Sequence, residues 1–327
     1  MTKRKFDVLV VGELNVDLIL NLLEKFPEMG KEIIANKMVL TLGSSSAIFA
    51  SNLAVLGTSV SFCGRVGRDS FANKVLADLT LKKVDINNIK RSTTADTGLT
   101  VAFSVKDERA MVTYPGAMNE LEESHVTDTM LQSACHLHVS SVFLQPALKP
   151  GLVRLFSRAK QFGLTTSLDP QWDPAEKWDC DWKNLLKLTD VFLPNMEELR
   201  HITKQQSVED CVAAIKEVAK IIVIKNGKEG AAIYTGKDVI NQPSFLNTQV
   251  VDAIGAGDSF NAGFIHKFVQ DKAIAECAEF GAVCGAVNTT RTGGTTAFAD
   301  LETVKRIALQ KFNYHLHDNE RKTDKVY

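Results

Sequence analysis

Asp252-Ala253-Ile254-Gly255-Ala256-Gly257-Asp258-Ser259-Phe260 sets two carboxylates around a glycine turn. Val250 and Val251 precede it, and Phe260, Gly263, Phe264 and Phe268 follow at near-helical spacing, which predicts an extended segment running into a helix N-terminus. The unpaired N–H groups and the positive dipole end of such a terminus attract anions, and Gly255 and Gly257 let the backbone approach a phosphate closely. A carboxylate at Asp258 is repelled by that phosphate unless a cation or useful chemistry offsets the cost. Two readings of Asp258 stay open. It caps the helix and complements the dipole, or it is a general base that takes the proton of an acceptor hydroxyl as that oxygen attacks the terminal phosphorus of a nucleotide. In the second reading the N–H groups from Gly255 through Ala256 and Gly257 to Asp258 hold the charge that develops on the transferred group.

The run resembles the C-terminal signature Asp-x-x-Gly-Ala-Gly-Asp of the ribokinase-type sugar kinases, the PfkB family, where it carries the anion hole and the base. The resemblance implies an α/β ribokinase-like three-layer sandwich with a mainly parallel central sheet and a small β-sheet lid. It also implies ATP-dependent phosphorylation of a hydroxyl, with a sugar's primary alcohol favoured, using Mg2+ and a monovalent cation such as K+.

Composition agrees with a metabolic enzyme. A chain of 327 residues, 45% hydrophobic and 24% charged, can bury a large core, and residues 1–327 are expected to form one domain. The net charge of −1 gives no electrostatic case for nucleic acid or an anionic membrane. The six cysteines are scattered without a Cys-x-x-Cys pair, as expected of a cytoplasmic protein. Lys3-Arg4-Lys5 leads into only a short apolar stretch, so a first strand is expected there, with no membrane span.

Phe6 to Val11 is that strand, a nearly unbroken apolar run ending at Gly12. Ligands bind beyond the carboxyl ends of strands in open α/β sheets, which places Asn15 and Asp17 for a polar substrate or leaves them in a solvated turn. They resemble the family's Asn-x-Asp element, whose Asp bonds sugar hydroxyls. Leu42-Gly43-Ser44-Ser45-Ser46-Ala47 opens a helix that stops at Gly57. It resembles the family's first signature, Gly-Gly-x-x-x-Asn-x-Ala, with Gly43 kept, Ser44 for the second Gly, and Ile48 where an Asn contacts the sugar. The lost amide changes the pocket's hydrogen-bond inventory, so no particular sugar can be carried over. Period-two alternation from Thr97 to Tyr114 predicts a hairpin. By resemblance, strands from about 13–40 and 97–115 build the lid, and a homodimer forms through it.

Strand-like and helix-like segments then alternate, as in βαβ units. The strands are His136 to Phe143, Leu164 to Leu168, Asp190 to Leu193 and Ile221 to Lys225; helices include Pro150 to Phe162 and Val208 to Lys220. His136 and His138 share a strand face and read as packing residues. Gln145 lies where the family has a substrate-touching Glu or Gln. Asp169-Pro170-Gln171-Trp172-Asp173 resembles Asp-Pro-Asn-x-Arg, but with an anion at Asp173 in place of the Arg, which argues against a carboxylated substrate. Asn195 and Glu198 match an Asn-x-x-Glu element, implying that Glu198 holds Mg2+ through water; an ordinary acidic helix start is the other reading. Lys225, Gly227 and Gly230 resemble a turn lying along the nucleotide. Ala273 to Thr290 is expected to be a small-residue helix, either walling a flat base or packing tightly. By resemblance, the Asp252 carboxylate and backbone oxygens near Ile254, Asn288, Arg291 and Gly293 hold the monovalent cation. Residues 313–327 are expected to fray. The competing readings are a nucleoside or vitamin kinase of the same fold, which Ile48 and Trp172 would suit, and a non-catalytic sugar-binding regulator.

Overall fold

The computed structural model describes residues 4–21, 23–105, 108–236 and 238–316. The strands are β1 (Phe6–Val11), β2 (Asn15–Asn21), β3 (Lys37–Leu42), β4 (Val60–Val66), β5 (Asp85–Arg91), β6 (Gly98–Val105), β7 (Glu108–Tyr114), β8 (Ala134–Ser140), β9 (Thr165–Asp169), β10 (Val191–Phe192), β11 (Ile221–Lys225), β12 (Ala231–Thr235) and β13 (Asp238–Gln242). The helices are α1 (Ser45–Val55), α2 (Ser70–Leu81), α3 (Asp128–Gln132), α4 (Leu152–Gln161), α5 (Trp182–Lys187), α6 (Met196–Thr203), α7 (Val208–Ile215), α8 (Ala256–Phe268), α9 (Ile274–Asn288) and α10 (Leu301–Phe312).

Nine strands form one sheet in the order β13-β12-β11-β10-β9-β8-β1-β4-β5, parallel from β5 to β11 and antiparallel beyond. The unbroken apolar run of β1 is explained by burial on both faces. Val8 and Val10 pack with Phe49, Leu53, Phe260 and Phe264 of α1 and α8, while Leu9 and Val11 pack with Leu155, Phe156 and Leu199 of α4 and α6. Helices thus cover each side of the sheet. The chain adds β4 and β5 on one side of β1 and later β8 to β11 on the other, so a topological switch point lies between the carboxyl ends of β1 and β8.

A smaller sheet, β3-β2-β6-β7, contains the predicted hairpin. Its alternation is two-sided. Asn15, Asp17, Thr100, Met111 and Thr113 face the large cavity, while Leu18, Leu40, Val101 and Val112 lie side by side on the opposite face.

His136 and His138 are core residues. His136 bonds Thr165 at 2.8 Å and Ser167 at 2.7 Å, and His138 bonds Ser167 at 2.7 Å and stacks on Phe49. Burial drives both far below the usual histidine range, His136 to about 3, so the rings are neutral. The helix expected over Val208 to Lys220 stops at Ile215, where the N–H groups of Val218 and Ala219 both turn back to the Ile215 carbonyl. At the C-terminal end, Tyr314 and Leu316 pack against a cluster containing Phe280 and Phe298, so the first residues of the expected tail are docked; 317–327 lie outside the described residues. No helix among the described residues is long and apolar enough to cross a membrane.

Candidate active site

The cavity at the switch point has a volume of about 1290 Å³, room for two substrates end to end. At its centre α8 begins. Gly255 is the residue before the helix, with φ +74°, and Asp258 falls in the first turn. The N–H of Ala256 is drawn back to the Ala253 carbonyl at 3.3 Å, whereas those of Gly255, Gly257 and Asp258 have no hydrogen-bond partner among the described residues. Of the expected anion hole, the glycine and Asp258 amides are available and Ala256 is partly spent. The ammonium of Lys225 lies 3.8 Å from where a Cβ on Gly257 would stand. A cation and open helix amides therefore converge on one point.

The turn is braced from behind. Ile48 is buried and packs on Gly294 and Gly255, so the residue that replaces the sugar-binding Asn supports the anion hole. Asn52 of α1 donates to Ser259 and to the Gly294 carbonyl, both at 2.9 Å. Asp252 accepts from the N–H groups of Ile254 and Gly293, both at 2.9 Å, which supplies the partners its sequence context lacked. The Asn288 amide donates to the Ile254 carbonyl at 2.6 Å and leaves its buried Oδ1 without a hydrogen bond. Arg291 points its guanidinium at the Thr296 carbonyl.

Asp258 is surrounded by acids. Burial, reinforced by the Asp169 carboxylate, pushes it up to about 7; Lys225 and a bond from Ser45 oppose the rise. Asp169, at the end of β9, accepts from Lys225 at 3.1 Å, from Gln171 at 2.9 Å and from Asn261. The Gln171 amide also donates to Asp258 at 3.0 Å. Glu13 is buried on the cavity floor, receives the N–H of Ser46 at 3.0 Å and its hydroxyl, and is pushed up chiefly by burial. Asp169, Gln171, Glu13 and Ser45 were not singled out from sequence as site residues. Asp169 ends a strand-like run, the position beyond a strand's carboxyl end that drew attention to Asn15 and Asp17.

Asp17 and Asn15 line the acceptor side with Thr100, to which Asn15 donates at 2.7 Å. Three other expected substrate contacts have partners within the protein. A Cβ on Gly43 would collide with the Asp17 and Asn15 side chains, so Gly43 is the space they occupy rather than a ligand. Ser44 lines the cavity, but its hydroxyl caps α1, accepting from Ala47 at 3.1 Å and donating to the Glu13 carbonyl at 2.7 Å. Gln145 is wholly buried because the chain after β8 curls into a short 3-10 turn; its amide donates to the Ser140 and Ser141 carbonyls at 2.8 and 3.1 Å. Asp173 rims the cavity with its charge turned inward, accepting from the N–H groups of Ala175, Lys177 and Trp178.

On the other side Asn195 and Glu198 form a reciprocal capping box at 2.8 Å each way. Burial, then Asp169, raises the Glu198 carboxyl. Gly227 and Gly230 line the same side. Ala282, Gly285 and Ala286 of α9 form a small-residue wall there, whereas Gly281 of the same helix packs on Phe260, so both readings of that helix apply. No cluster of three or more His, Cys, Asp or Glu among the described residues is arranged to hold a metal directly.

Comparison with known proteins agrees with this geometry. The profile of the pfkB family carbohydrate kinases matches residues 5–300. An ATP-dependent ribose-1-phosphate kinase of Halopiger xanaduensis is 28% identical over 89% of this chain and 94% of its own. A 2-dehydro-3-deoxygluconokinase of Bacillus subtilis is 27% identical over 77% of this chain and 82% of its own. Among solved structures, Arabidopsis thaliana ribokinase complexed with ribose and ATP superposes with a TM-score of 0.80 at 23% identity, covering 93% of this chain and 98% of that one. Adenosine kinase from Sinorhizobium meliloti gives 0.80 at 21% identity over 90% and 98%. A ribokinase II from E. coli in complex with ATP and Mg2+ gives 0.78 at 22% identity over 92% and 98%.

Proposed function

The chain belongs to the pfkB family of carbohydrate kinases, and from that premise we propose that Asp258 is the general base with which it transfers the γ-phosphoryl group of ATP to a hydroxyl, a primary one, of a small uncharged carbohydrate. Family membership makes it a phosphotransferase acting on alcohol groups. The observation that carries the finer reading is the head of α8: open N–H groups at Gly255, Gly257 and Asp258, with a buried carboxylate in the same turn and Lys225 beside them.

The acceptor hydroxyl is held by Asp17 and Asn15 and gives its proton to Asp258 as its oxygen attacks the γ-phosphorus. Charge growing on the transferred oxygens is met by the Gly255, Gly257 and Asp258 amides and by Lys225. Asn195 and Glu198 would orient the nucleotide's phosphates, and Glu198 would hold Mg2+ through water; when bound, that ion would neutralise phosphate charge. ATP lies along Gly227, Gly230 and the small-residue face of α9. The unpartnered Oδ1 of Asn288, beside Asp252, Ile254 and Gly293, is the acceptor that suits a monovalent cation such as K+.

An uncharged acceptor is supported by charge. Asp17 and Asp258 line the acceptor half, whereas Asp173 directs its charge into its own loop and burial favours the neutral form of Glu13; Lys225 and Lys228, the cationic side chains among the described residues of the cavity wall, lie on the nucleotide half. A phosphate or carboxylate on the acceptor would meet like charge in a partly dry site, about 3 kcal/mol per pair near 5 Å at an effective dielectric of 20. One feature favours a nucleoside as second reading: Trp172, 45% exposed, offers an aromatic surface at the cavity.

The test is ADP release from MgATP, with and without K+, over neutral sugars, nucleosides, sugar phosphates and sugar acids, with Asp258→Asn as the blank. Turnover of a neutral hydroxyl compound that falls at least about 100-fold in the blank, with ATP binding retained, is expected. Undiminished turnover by Asp258→Asn removes the base assignment, and a preferred anionic acceptor removes the charge argument.

A further inference from the structure

We propose that Gln171 is a positioning residue for phosphoryl transfer: its carboxamide fixes the orientation of Asp258 and donates to the carboxylate form that must accept the proton. The inference rests on the reading of Asp258 as the base.

The carboxamide nitrogen of Gln171 has two hydrogens, and both are used, on Asp169 at 2.9 Å and on Asp258 at 3.0 Å. When both carboxylates are ionised they only accept, so the amide then presents its nitrogen to both and its orientation is determined. Asp169 is itself held by the Lys225 ammonium and the Asn261 amide, so Gln171 ties the working acid to a fixed one.

The backbone has been bent to allow this. Gln171 sits at φ +57°, a left-handed conformation that a residue other than Gly or Asn adopts at a cost of about 1 kcal/mol or more. Gly or Asn would satisfy the turn more cheaply. What neither has is the reach to touch two carboxylates at once, as Gln171 does.

Every packed element that faces Asp258 brings a group bearing on its ionisation. β9 brings Asp169, the segment after β1 brings Glu13, and α6 brings Glu198, all acids; β11 brings Lys225, already paired with Asp169; α1 brings the Ser45 hydroxyl. Among these, Gln171 is a neutral donor aimed at the carboxylate oxygen. Donation to the charged form favours that form, so losing it raises the pH at which Asp258 ionises. A base must be ionised to act, and the acid limb of the rate profile should move with it.

The test uses three variants of the full chain. Q171L keeps the bulk and removes both donors. Q171N suits the left-handed backbone but is too short to span both acids. Q171E adds a further negative charge. In nucleotide-free and metal-free protein, the carboxyl-carbon NMR signal of Asp258, identified by its loss in D258N, is followed against pH. Its midpoint is expected to rise by about one pH unit in Q171L and Q171N and further in Q171E. With MgATP and D-ribose or D-fructose, whichever turns over, the acid limb of kcat should shift by the same amount, about fivefold lower at pH 7, about tenfold lower well below it and recovering at alkaline pH. An unmoved midpoint in Q171L overturns the proposal, as does restoration of the wild-type profile by Q171N, which would reduce Gln171 to backbone geometry. If Q171L does not fold, Q171N and Q171E decide. If D258N keeps full turnover the base reading fails separately, and the NMR midpoints still report whether Gln171 tunes Asp258.

Discussion

Two glycines in the same turn carry different loads. Gly255 holds φ +74°, and a Cβ there would stand 2.6 Å from the Gly294 Cα and 3.2 Å from Ile48, so Gly255→Ala strains the backbone and pushes the anion hole off α1. We expect about 2 kcal/mol of lost stability by denaturant titration and a fall in kcat larger than the fall in ATP affinity. A Cβ on Gly257 meets only the Lys225 ammonium at 3.8 Å, so Gly257→Ala should melt close to wild type. The buried acids give a prediction with a sign. Burial and the Asp169 carboxylate raise Asp258 from 3.8 to about 7, and the folded, ligand-free protein therefore holds a proton that the unfolded chain releases. Its favourable contribution is full below about pH 4 and is lost as pH rises through 7, with Glu198 acting in the same direction. Asp258→Asn should thus melt higher than wild type at pH 8 and about level with it at pH 4; a lower melting temperature at pH 8 would show that Asp258 is not held in this way. The Asp252 to Asp258 stretch was legible because glycines and acids at fixed spacing state a backbone geometry. Glu13 and Gln171 were not, because their roles depend on neighbours more than 30 and 80 residues away, Ser46 and Asp258.

The segment from Gln171 to Trp178 shows where local reading stops. Asp173 reads in sequence as a stray anion in place of a cation, yet in three dimensions its carboxylate organises a loop containing three non-glycine residues of positive φ, Gln171, Glu176 and Trp178. The loop sets Trp172 edge-on against Trp178 and His201, which stack on each other with centroids 4.9 Å apart. Because Gln171 opens this segment, Asp173 also bears on the base. Asp173→Ala leaves the buried Trp178 N–H, and those of the exposed Ala175 and Lys177, without their acceptor and is expected to cost about 1–2 kcal/mol. Near-UV circular dichroism should lose the signature of the packed tryptophans, and acceptor KM should rise while ATP affinity holds. Unchanged near-UV spectra would mean that the loop is held by its aromatics alone. The strands and helices, by contrast, were visible in sequence wherever a period was sustained. β5, with Asp-Ile-Asn-Asn-Ile-Lys-Arg at the sheet edge, carries too few apolar residues to announce itself.

At the scale of the molecule, the switch point beside β1 gathers the site and the smaller sheet covers its acceptor half. That sheet turns polar residues inward to the cavity and apolar ones outward, the reverse of a sheet standing alone in water. Leu40, Leu18, Val101 and Val112 form one row across four strands, and Met38, Leu20 and Phe103 continue the next; Met38 and Val112 are 66% and 65% exposed. Val16 and Leu42, on the same side nearer the large sheet, are buried, so the outward stripe extends a packed core into solvent. A contiguous apolar face of this kind calls for a cover. We propose that a second copy supplies it, two small sheets meeting face to face, because a two-fold axis sets the apolar row of one copy against the same row of the other. A charge on the row would have to be desolvated on association. Val112→Asp should convert a dimer to a monomer in sedimentation velocity while leaving the cavity-facing Met111 and Thr113 in register. If the cover also steadies the sheet over the acceptor, the monomer should show a higher acceptor KM with ATP affinity unchanged, since the nucleotide half is built from β11, α8 and α9. A wild-type protein that sediments as a monomer at micromolar concentration would refute the pairing, and would leave the apolar stripe to some other partner.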